Sequence, residues 1–285
     1  MEKKTIIRII GKRTGMGNQI LFIPIIKELQ KQYIVCSDSA VFNQLGLNLA
    51  KNQPADINII VFGYNYAKFW IERLTKLGKF FGYNYRIKGK FIGIGYNKSV
   101  CFNEDIHEIK NNIRLYNHCF DTSIESINYK IPGWKPERNL VIMGISTKRE
   151  KTMPLAIWQK LFIEITKLGF KVKTVDLDIG LDHVKTPTIE DLKNELSNAT
   201  YYIGTDSGVA HLADILGIPS LIMFGSTSIV KNKPFNRKSI VISRELKCSP
   251  CFDWGRINCH INYECMNFEV NHILKNFNEL VIKTD

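Results

Sequence analysis

Gly204-Thr-Asp-Ser-Gly-Val-Ala-His211 runs directly into Leu212-Ala-Asp-Ile-Leu-Gly217-Ile-Pro219, and a second loop, Phe224-Gly-Ser-Thr-Ser228, follows. The pattern reads as a strand from Tyr201 to Gly204, a turn, a helix from Val209 to Leu216 stopped by Gly217, a strand from Ser220 to Phe224, and a glycine loop. Both loops leave the carboxyl ends of neighbouring strands, where open α/β sheets bind ligands. Ser207, Gly208 and Gly225 are small enough to leave backbone N–H groups approachable, and the helix after the first loop directs its positive end there. One such loop alone would read as an ordinary βαβ turn. Two flanking one helix point to a phosphate or nucleotide site, to which Asp206 and His211 add polar side chains.

The same strand-loop-helix order recurs outward from this unit. Upstream, Asn139–Ile145 opens a series as a strand, a helix follows Pro154, and Lys171–Val175 and Ile189–Leu196 read as strand and helix. Further upstream a first series begins with a strand at Thr5–Ile10. It continues with a glycine-rich loop, a helix from Asn18 to Gln32, a strand at Tyr33–Cys36, a helix near Val41–Ala50 and a strand at Ile57–Phe62. Repeated alternation of this kind predicts parallel sheets with crossover helices. Between the series lies Ile131-Pro-Gly-Trp-Lys-Pro136, rich in turn formers, which separates residues 1–132 from residues 137–285 as two domains.

Composition narrows the partners. The chain has 285 residues, 45% of them hydrophobic, and a formal net charge of +12. The short apolar run Ile6 to Ile10 is a core strand and not a signal peptide, and no stretch is long enough to span a bilayer. The expected location is therefore cytoplasmic, or peripheral at the inner face of the membrane. Residues 1–130 hold 19 Lys/Arg against 10 Asp/Glu, whereas the rest hold 20 against 17. Lys68 to Lys98 is the sharpest concentration, with eight basic residues and the single acid Glu72, interleaved with aromatics. Within it, Tyr66 to Phe81 has the spacing of a basic amphipathic helix carrying Arg73, Lys76 and Lys79. Such a segment suits a phosphorylated glycolipid at a membrane surface, or a nucleic acid, or simply a solvated face over an aromatic core.

Asp206-Ser-Gly-Val-Ala-His211, Gly217-Ile-Pro219 and Phe224-Gly-Ser-Thr227 resemble the C-terminal signature of glycosyltransferase family 9, the heptosyltransferases of lipopolysaccharide synthesis. Gly144-Ile-Ser-Thr-Lys-Arg-Glu-Lys151-Thr-Met-Pro154, with Trp158 beyond it, is similar to the family's small-residue loop followed by Lys-x-Trp-Pro. Gly15-Met-Gly-Asn18-Gln-Ile-Leu-Phe-Ile-Pro24 is similar to its first loop and helix, and His107-Glu108 through Leu115 adds a fourth match. The resemblance implies an α/β chain of GT-B fold, two Rossmann-like domains facing across a cleft, with the closing stretch Phe268 to Ile282 crossing back towards the first domain. It implies inverting transfer of a sugar from a nucleotide-sugar donor by direct displacement, with no cofactor required for catalysis.

Such a transfer needs a stabilised leaving diphosphate, a deprotonated acceptor hydroxyl and exclusion of water. Ser146, Thr147, Lys148 and Lys151 supply hydroxyls, backbone donors and cations just past a strand end. Lys151 matches the lysine that the family uses near the donor phosphates. With Asp206, Ser207, Gly208, His211 and Gly225 they form the expected donor site. Gly15, Gly17 and Asn18, together with Arg73, Lys76 and Lys79, form the expected acceptor side. Asn18 stands where the family normally has its aspartate base, and a neutral amide has no useful basicity near pH 7. His107, Glu108, Glu104 and Asp105 are the substitutes the sequence offers, and Asn18 alternatively caps a helix.

Two readings accompany this one. The same donor chemistry can serve an acceptor of modified DNA, as in a phage-type enzyme, and Asn18 also fits a non-catalytic protein that binds sugar or nucleic acid. Asp176-Leu-Asp178 resembles a metal-binding Asp-x-Asp but reads as solvent-facing carboxylates after a strand. Four of the seven cysteines, Cys248, Cys251, Cys259 and Cys265, cluster near the C-terminus. They are candidate ligands for a structural zinc or iron, or else free thiols. The sequence leaves the oligomeric state open.

Overall fold

The computed structural model describes residues 4–12, 14–61, 66–87, 90–92, 95–251 and 259–284. The chain divides into two compact units, Met1–Tyr129 and Lys130–Asp285. Ile131 donates its N–H to Ile215 O at 2.8 Å and Lys135 to Ser197 O at 2.8 Å, so the turn-rich stretch 131–136 is fastened to the second unit.

The first unit runs β1 (Ile6–Ile10), α1 (Met16–Leu29), β2 (Ile34–Ser37), α2 (Ala40–Gln44), β3 (Ile57–Ile60), α3 (Tyr66–Thr75), β4 (Lys79–Ile87), β5 (Lys90–Ile92), β6 (Lys98–Cys101) and α4 (Glu108–Phe120). The strand order is β2-β1-β3-β4-β5, with β6 also paired to β4. Among the described residues, only the β4–β5 pairing is antiparallel. Ile7, Ile9 and Ile10 are fully buried, as a β-branched central strand covered on both faces requires.

Two expectations fail here. The helix read from Tyr66 to Phe81 ends at Thr75. Gly78 follows at φ +97°, where any side chain would strike the carbonyls of Ala55 and Asp56. Phe80, Phe81 and Tyr83 therefore lie, buried, on a nine-residue strand and not on a helical stripe. The helix near Val41–Ala50 shrinks to α2, and Ala50 instead bridges Cys36. Phe62, the expected end of the third strand, lies outside the described residues.

The second unit runs β7 (Leu140–Ile145), α5 (Leu155–Lys167), β8 (Lys171–Asp176), α6 (Ile189–Ser197), β9 (Tyr201–Thr205), α7 (Gly208–Leu216), β10 (Ser220–Phe224), α8 (Ile229–Asn232), β11 (Ile240–Ser243) and α9 (Val270–Thr284). All pairings are parallel, in the order β11-β10-β9-β7-β8. Strand β9 inserts between β7 and β10, so the loops after these three strands emerge side by side. Gly144 and Gly204 sit within β7 and β9, not in the loops. A side chain at either would run into the buried ring of Tyr202.

Helix α9 presents Val270, Ile273, Phe277 and Leu280 along one face, and all are buried in the second unit's core with Trp158, Leu161 and Ile165 of α5. Phe277 meets Phe170 and Tyr201 edge-on, with ring centroids 5.2 and 5.6 Å away. The apolar face of the closing helix is thus filled by its own unit.

Candidate functional site

Three loops meet at the carboxyl edge of the second sheet. The first follows β7. Ser146 is buried and its Oγ accepts the Lys148 N–H at 3.2 Å, which turns the chain sharply. Thr147 and Lys148 stay exposed on that turn, and a short 3₁₀ helix, Arg149–Lys151, brings Lys151 inward. Met153 and Trp158, both buried, hold the far side of the loop.

The second loop follows β9. Ser207 caps α7, accepting the Ala210 N–H at 3.2 Å, and so puts Gly208 at the helix's first position with its N–H groups at the sheet edge. Gly217, left-handed at φ +87°, ends the helix. The third loop, Gly225–Ser228, is fastened to the first by the Ser226 hydroxyl, which donates to Glu150 O at 2.8 Å.

Asp206 is the centre of this arrangement. Its carboxylate is 4% exposed and lies 3.0 Å from Lys151 Nζ and 3.5 Å from His211 Nε2. Thr227 donates a side-chain hydrogen bond to it, and Asn232 Nδ2 stands 3.5 Å away. Burial opposes its charge, but Lys151, His211 and Thr227 outweigh that and hold the carboxyl below its ordinary range. Burial lowers His211, against the pull of Asp206 and with the push of Lys151, so the imidazole is neutral near pH 7. An ammonium has three donors, so one lysine can serve both a carboxylate and a phosphate oxygen.

The structure therefore brings Ser146, Lys151, Asp206, Ser207, Gly208 and His211 to one edge, with Thr147 and Lys148 on the exposed turn. Gly225 has a further reason to be glycine. A side chain there would run into Met266 Sδ and stand 3.0 Å from Cys265 Sγ. Thr227 and Asn232 complete the surroundings of Asp206. Thr227 was legible as part of the quoted loop, while no local signal marks Asn232.

The cysteine segment packs against this third loop. Cys251 donates its N–H to Ser226 O at 2.9 Å, and the Ser249 hydroxyl donates to Gly225 O. All four cysteines are free thiols. Burial and the neighbouring cysteines push Cys251 up and Cys265 to about 11. Among the described residues, no group of three or more His, Cys, Asp or Glu side chains is assembled to hold a metal ion. Asp176 and Asp178 are exposed, and Asp178 closes a turn by accepting the Gly180 N–H at 2.9 Å.

In the first unit, Gly15 is the N-cap of α1 and Gly17 and Asn18 lie in its first turn, so Asn18 is not the cap. Open space surrounds Gly15, with nothing within 4 Å of an added Cβ. Gln19, buried one residue on, bonds Thr14 O at 3.1 Å and holds the loop. Asp38 at the end of β2 accepts the N–H groups of Gly11 and Lys12 at 2.9 and 3.2 Å, a tie that sequence reasoning missed. His107 caps α4, its Nδ1 accepting the Ile109 N–H at 3.1 Å, and Glu108 is buried beside it. Glu104 and Asp105 are exposed. Arg73 lies over the Phe80 ring at 5.1 Å, and Lys76 pairs with Glu72 at 3.1 Å, while Lys79 is exposed.

Comparison with known proteins bears on both units. The model of glycosyltransferase family 9 (heptosyltransferase) matches residues 186–261. No curated protein matches the chain by sequence. The crystal structure of a family 9 glycosyl transferase from Veillonella parvula is similar at TM-score 0.70 and 14% identity, covering 99% of each chain. The E. coli heptosyltransferase WaaC with ADP gives TM-score 0.69 and 14% identity over 98% of each chain. The iron-containing dodecameric glycosyltransferase TibC from enterotoxigenic E. coli gives 0.65 and 14%, covering all of this chain and 78% of that one. At such identities the likeness is one of fold, and the fold is GT-B.

Proposed function

We propose that this chain is a heptosyltransferase-like glycosyltransferase of family 9 and that it moves a sugar from a nucleotide-sugar donor to an anionic acceptor with inversion at the anomeric carbon. The observation that carries the reading is the Lys151–Asp206–His211 cluster beside the N-terminus of α7. Lys151 directs its ammonium charge at the leaving diphosphate, and the backbone N–H groups from Gly208 onward add to it. Ser146, Thr147, Lys148, Ser207 and Gly225 complete the donor loops. Asp206 holds Lys151 in place. Neutral His211 offers a hydrogen bond without adding a second cation. A thermal-shift screen of nucleotide sugars, ADP-linked sugars first, tests this. A true donor at ~100 times its Kd adds roughly 2.7 kcal/mol of stability, and no response to any nucleotide or nucleotide sugar defeats the reading.

On the acceptor side we assign Gly15, Gly17 and Asn18 to orient the acceptor hydroxyl, with Arg73, Lys76 and Lys79 drawing in its negative charge. Asp38, the carboxylate tied to the loop that leads to Asn18, takes the proton in this reading. Asp38→Asn then lowers transfer while leaving donor binding intact. A glycan or glycolipid acceptor agrees better than modified DNA or a non-catalytic role with the family match and the heptosyltransferase fold. The thiols of Cys248, Cys251, Cys259 and Cys265 lie in one another's field. Among the described residues they are not assembled into a metal site, so a structural zinc or iron would have to draw them together; it would then pin the segment behind Gly225 and take no part in the transfer. Metal analysis of protein purified without chelator decides between a metal and plain thiols.

A further inference from the structure

Tyr202 lies on β9, and its ring runs along the strand to end over Gly204 and over Gly144, the residue paired with Gly204 on β7. A side chain at either glycine would strike the Tyr202 oxygen. The hydroxyl is therefore held at the root of two donor loops, two residues short of Ser146 on one strand and of Asp206 on the other. The tyrosine is fully buried. Among the described residues its hydroxyl completes no hydrogen bond, and the polar side chain that reaches towards it is Ser207. A phenylalanine would fill the same slot and leave no polar atom unpaired. The oxygen, not the ring, is what needs a reason.

Ser207 supplies one. Its Oγ accepts the Ala210 N–H at 3.2 Å as the cap of the nine-residue helix α7. A hydroxyl oxygen has a second lone pair and one proton of its own. When that proton turns to a phosphate oxygen at the helix N-terminus, the second lone pair becomes the acceptor that the Tyr202 hydroxyl lacks. Burial raises the tyrosine's pKa against the pull of Ser207, and the negative charges of Asp176 and Asp206 raise it further. Tyr202 therefore keeps the proton it has to offer.

We infer that Tyr202 is a positioning residue of the donor site: its O–H donates to Ser207 Oγ as a diphosphate binds, and so fixes the Ser207 proton on the phosphate. The tyrosine itself does not touch the donor. Binding then satisfies a buried hydroxyl that the free protein leaves unpaired, so part of the donor affinity comes from beneath the loops. This role rests on the proposed donor site and adds to it a residue outside the loops.

Calorimetric titration of the full chain with ADP, GDP, UDP and CDP tests this. Tyr202→Phe should raise the Kd of the diphosphate that binds wild type by about three- to tenfold, while the melting temperature of the free protein stays the same or rises. Ser207→Gly, a change that helix caps tolerate, should also raise that Kd. In this background Tyr202→Phe should add nothing, because the tyrosine acts through Ser207. A near-ultraviolet difference spectrum should show a tyrosine band shifting as nucleotide binds to wild type and not to Tyr202→Phe. An unchanged Kd in Tyr202→Phe overturns the inference and leaves the donor site standing. So does an equal loss of affinity in both backgrounds, or a tyrosine shift that persists in the variant. Failure of all four nucleotides to bind wild type takes down the donor site, and the role of Tyr202 with it.

Discussion

Lys151 Nζ stands 3.0 Å from Asp206 Oδ2, with the lysine side chain 16% and the aspartate 4% exposed. The two residues lie on different loops, after β7 and β9, and this pair is what draws the loops together. Its consequence is that the cation expected at a diphosphate already has a protein partner. Lys151 is therefore pre-positioned, and its pair costs little reorganisation when an anion arrives.

Removing one member leaves a buried charge alone. Lys151→Ala and Asp206→Ala should each cost about 3–5 kcal/mol of stability, whereas the double variant should cost less than their sum. Transfer separates the roles. Lys151→Ala, assayed where it is folded, should raise the barrier by about 2–4 kcal/mol, and the double variant should not recover it. Denaturant titration beside initial rates checks both. Additive stability losses would mean that the pair is not coupled, and full activity in the lysine variant would remove Lys151 from the site.

Gly225→Ala should destabilise the second unit by about 1–3 kcal/mol, because the new methyl group meets buried Met266 and Cys265. The same substitution at Gly15, which has open space around it, should change stability by well under ~1 kcal/mol. Melting temperatures of the two variants settle this, and equal effects would contradict the packing reason given for Gly225.

Much of this was legible in the chain. The βαβ unit around Asp206 has a complete local grammar, with a small-residue turn, a Ser207 cap, the Gly217 stop and a fully buried strand, so its elements followed from residues close in sequence. What failed depended on contacts distant in sequence. Gly78 ends the helix begun at Tyr66 because two carbonyls of a neighbouring segment press on it. Gly144 and Gly204 read as strand residues, but nothing local in the sequence shows that they make room for Tyr202. Asn232 and Asp38 are ordinary polar residues until the fold puts them beside Asp206 and Gly11.

Asp214 on α7 was another such residue. It is 2% exposed, and its two oxygens accept the N–H groups of Phe235 and Asn236, both at 2.8 Å. Burial raises its pKa from 3.8 to about 6, against the pull of those two bonds and of Lys130. The folded state then holds the proton more tightly than the unfolded chain. This contribution to stability is fully present below pH 3.8 and is lost as pH rises through about 6. Its size is on the order of 3 kcal/mol. Asp214→Asn should abolish that component, whatever constant loss follows from replacing one acceptor by a donor. Unfolding free energies measured between pH 4 and 7 would show it, and an unchanged slope in the variant would reject the assignment.

His211 acts in the opposite sense over the same window. Burial lowers its pKa from the ordinary 6.5, with Asp206 opposing and Lys151 assisting, so the unfolded chain takes up the proton first. Its contribution is complete above pH 6.5 and is lost as pH falls from there towards the lowered folded value. Asp206, itself lowered from 3.8, adds an acid loss only below that value. Between pH 4 and 6.5 the wild-type profile is therefore a difference between His211 and Asp214, and it should be flatter than either term alone. His211→Gln keeps an amide donor near Asp206 but removes the titration. This variant should grow more stable, relative to neutral pH, as the medium is acidified to pH 4. Asp214→Asn should show the reverse, and the double variant should be nearly flat. If His211→Gln instead follows the wild-type profile on acidification, the imidazole is not the group that titrates there.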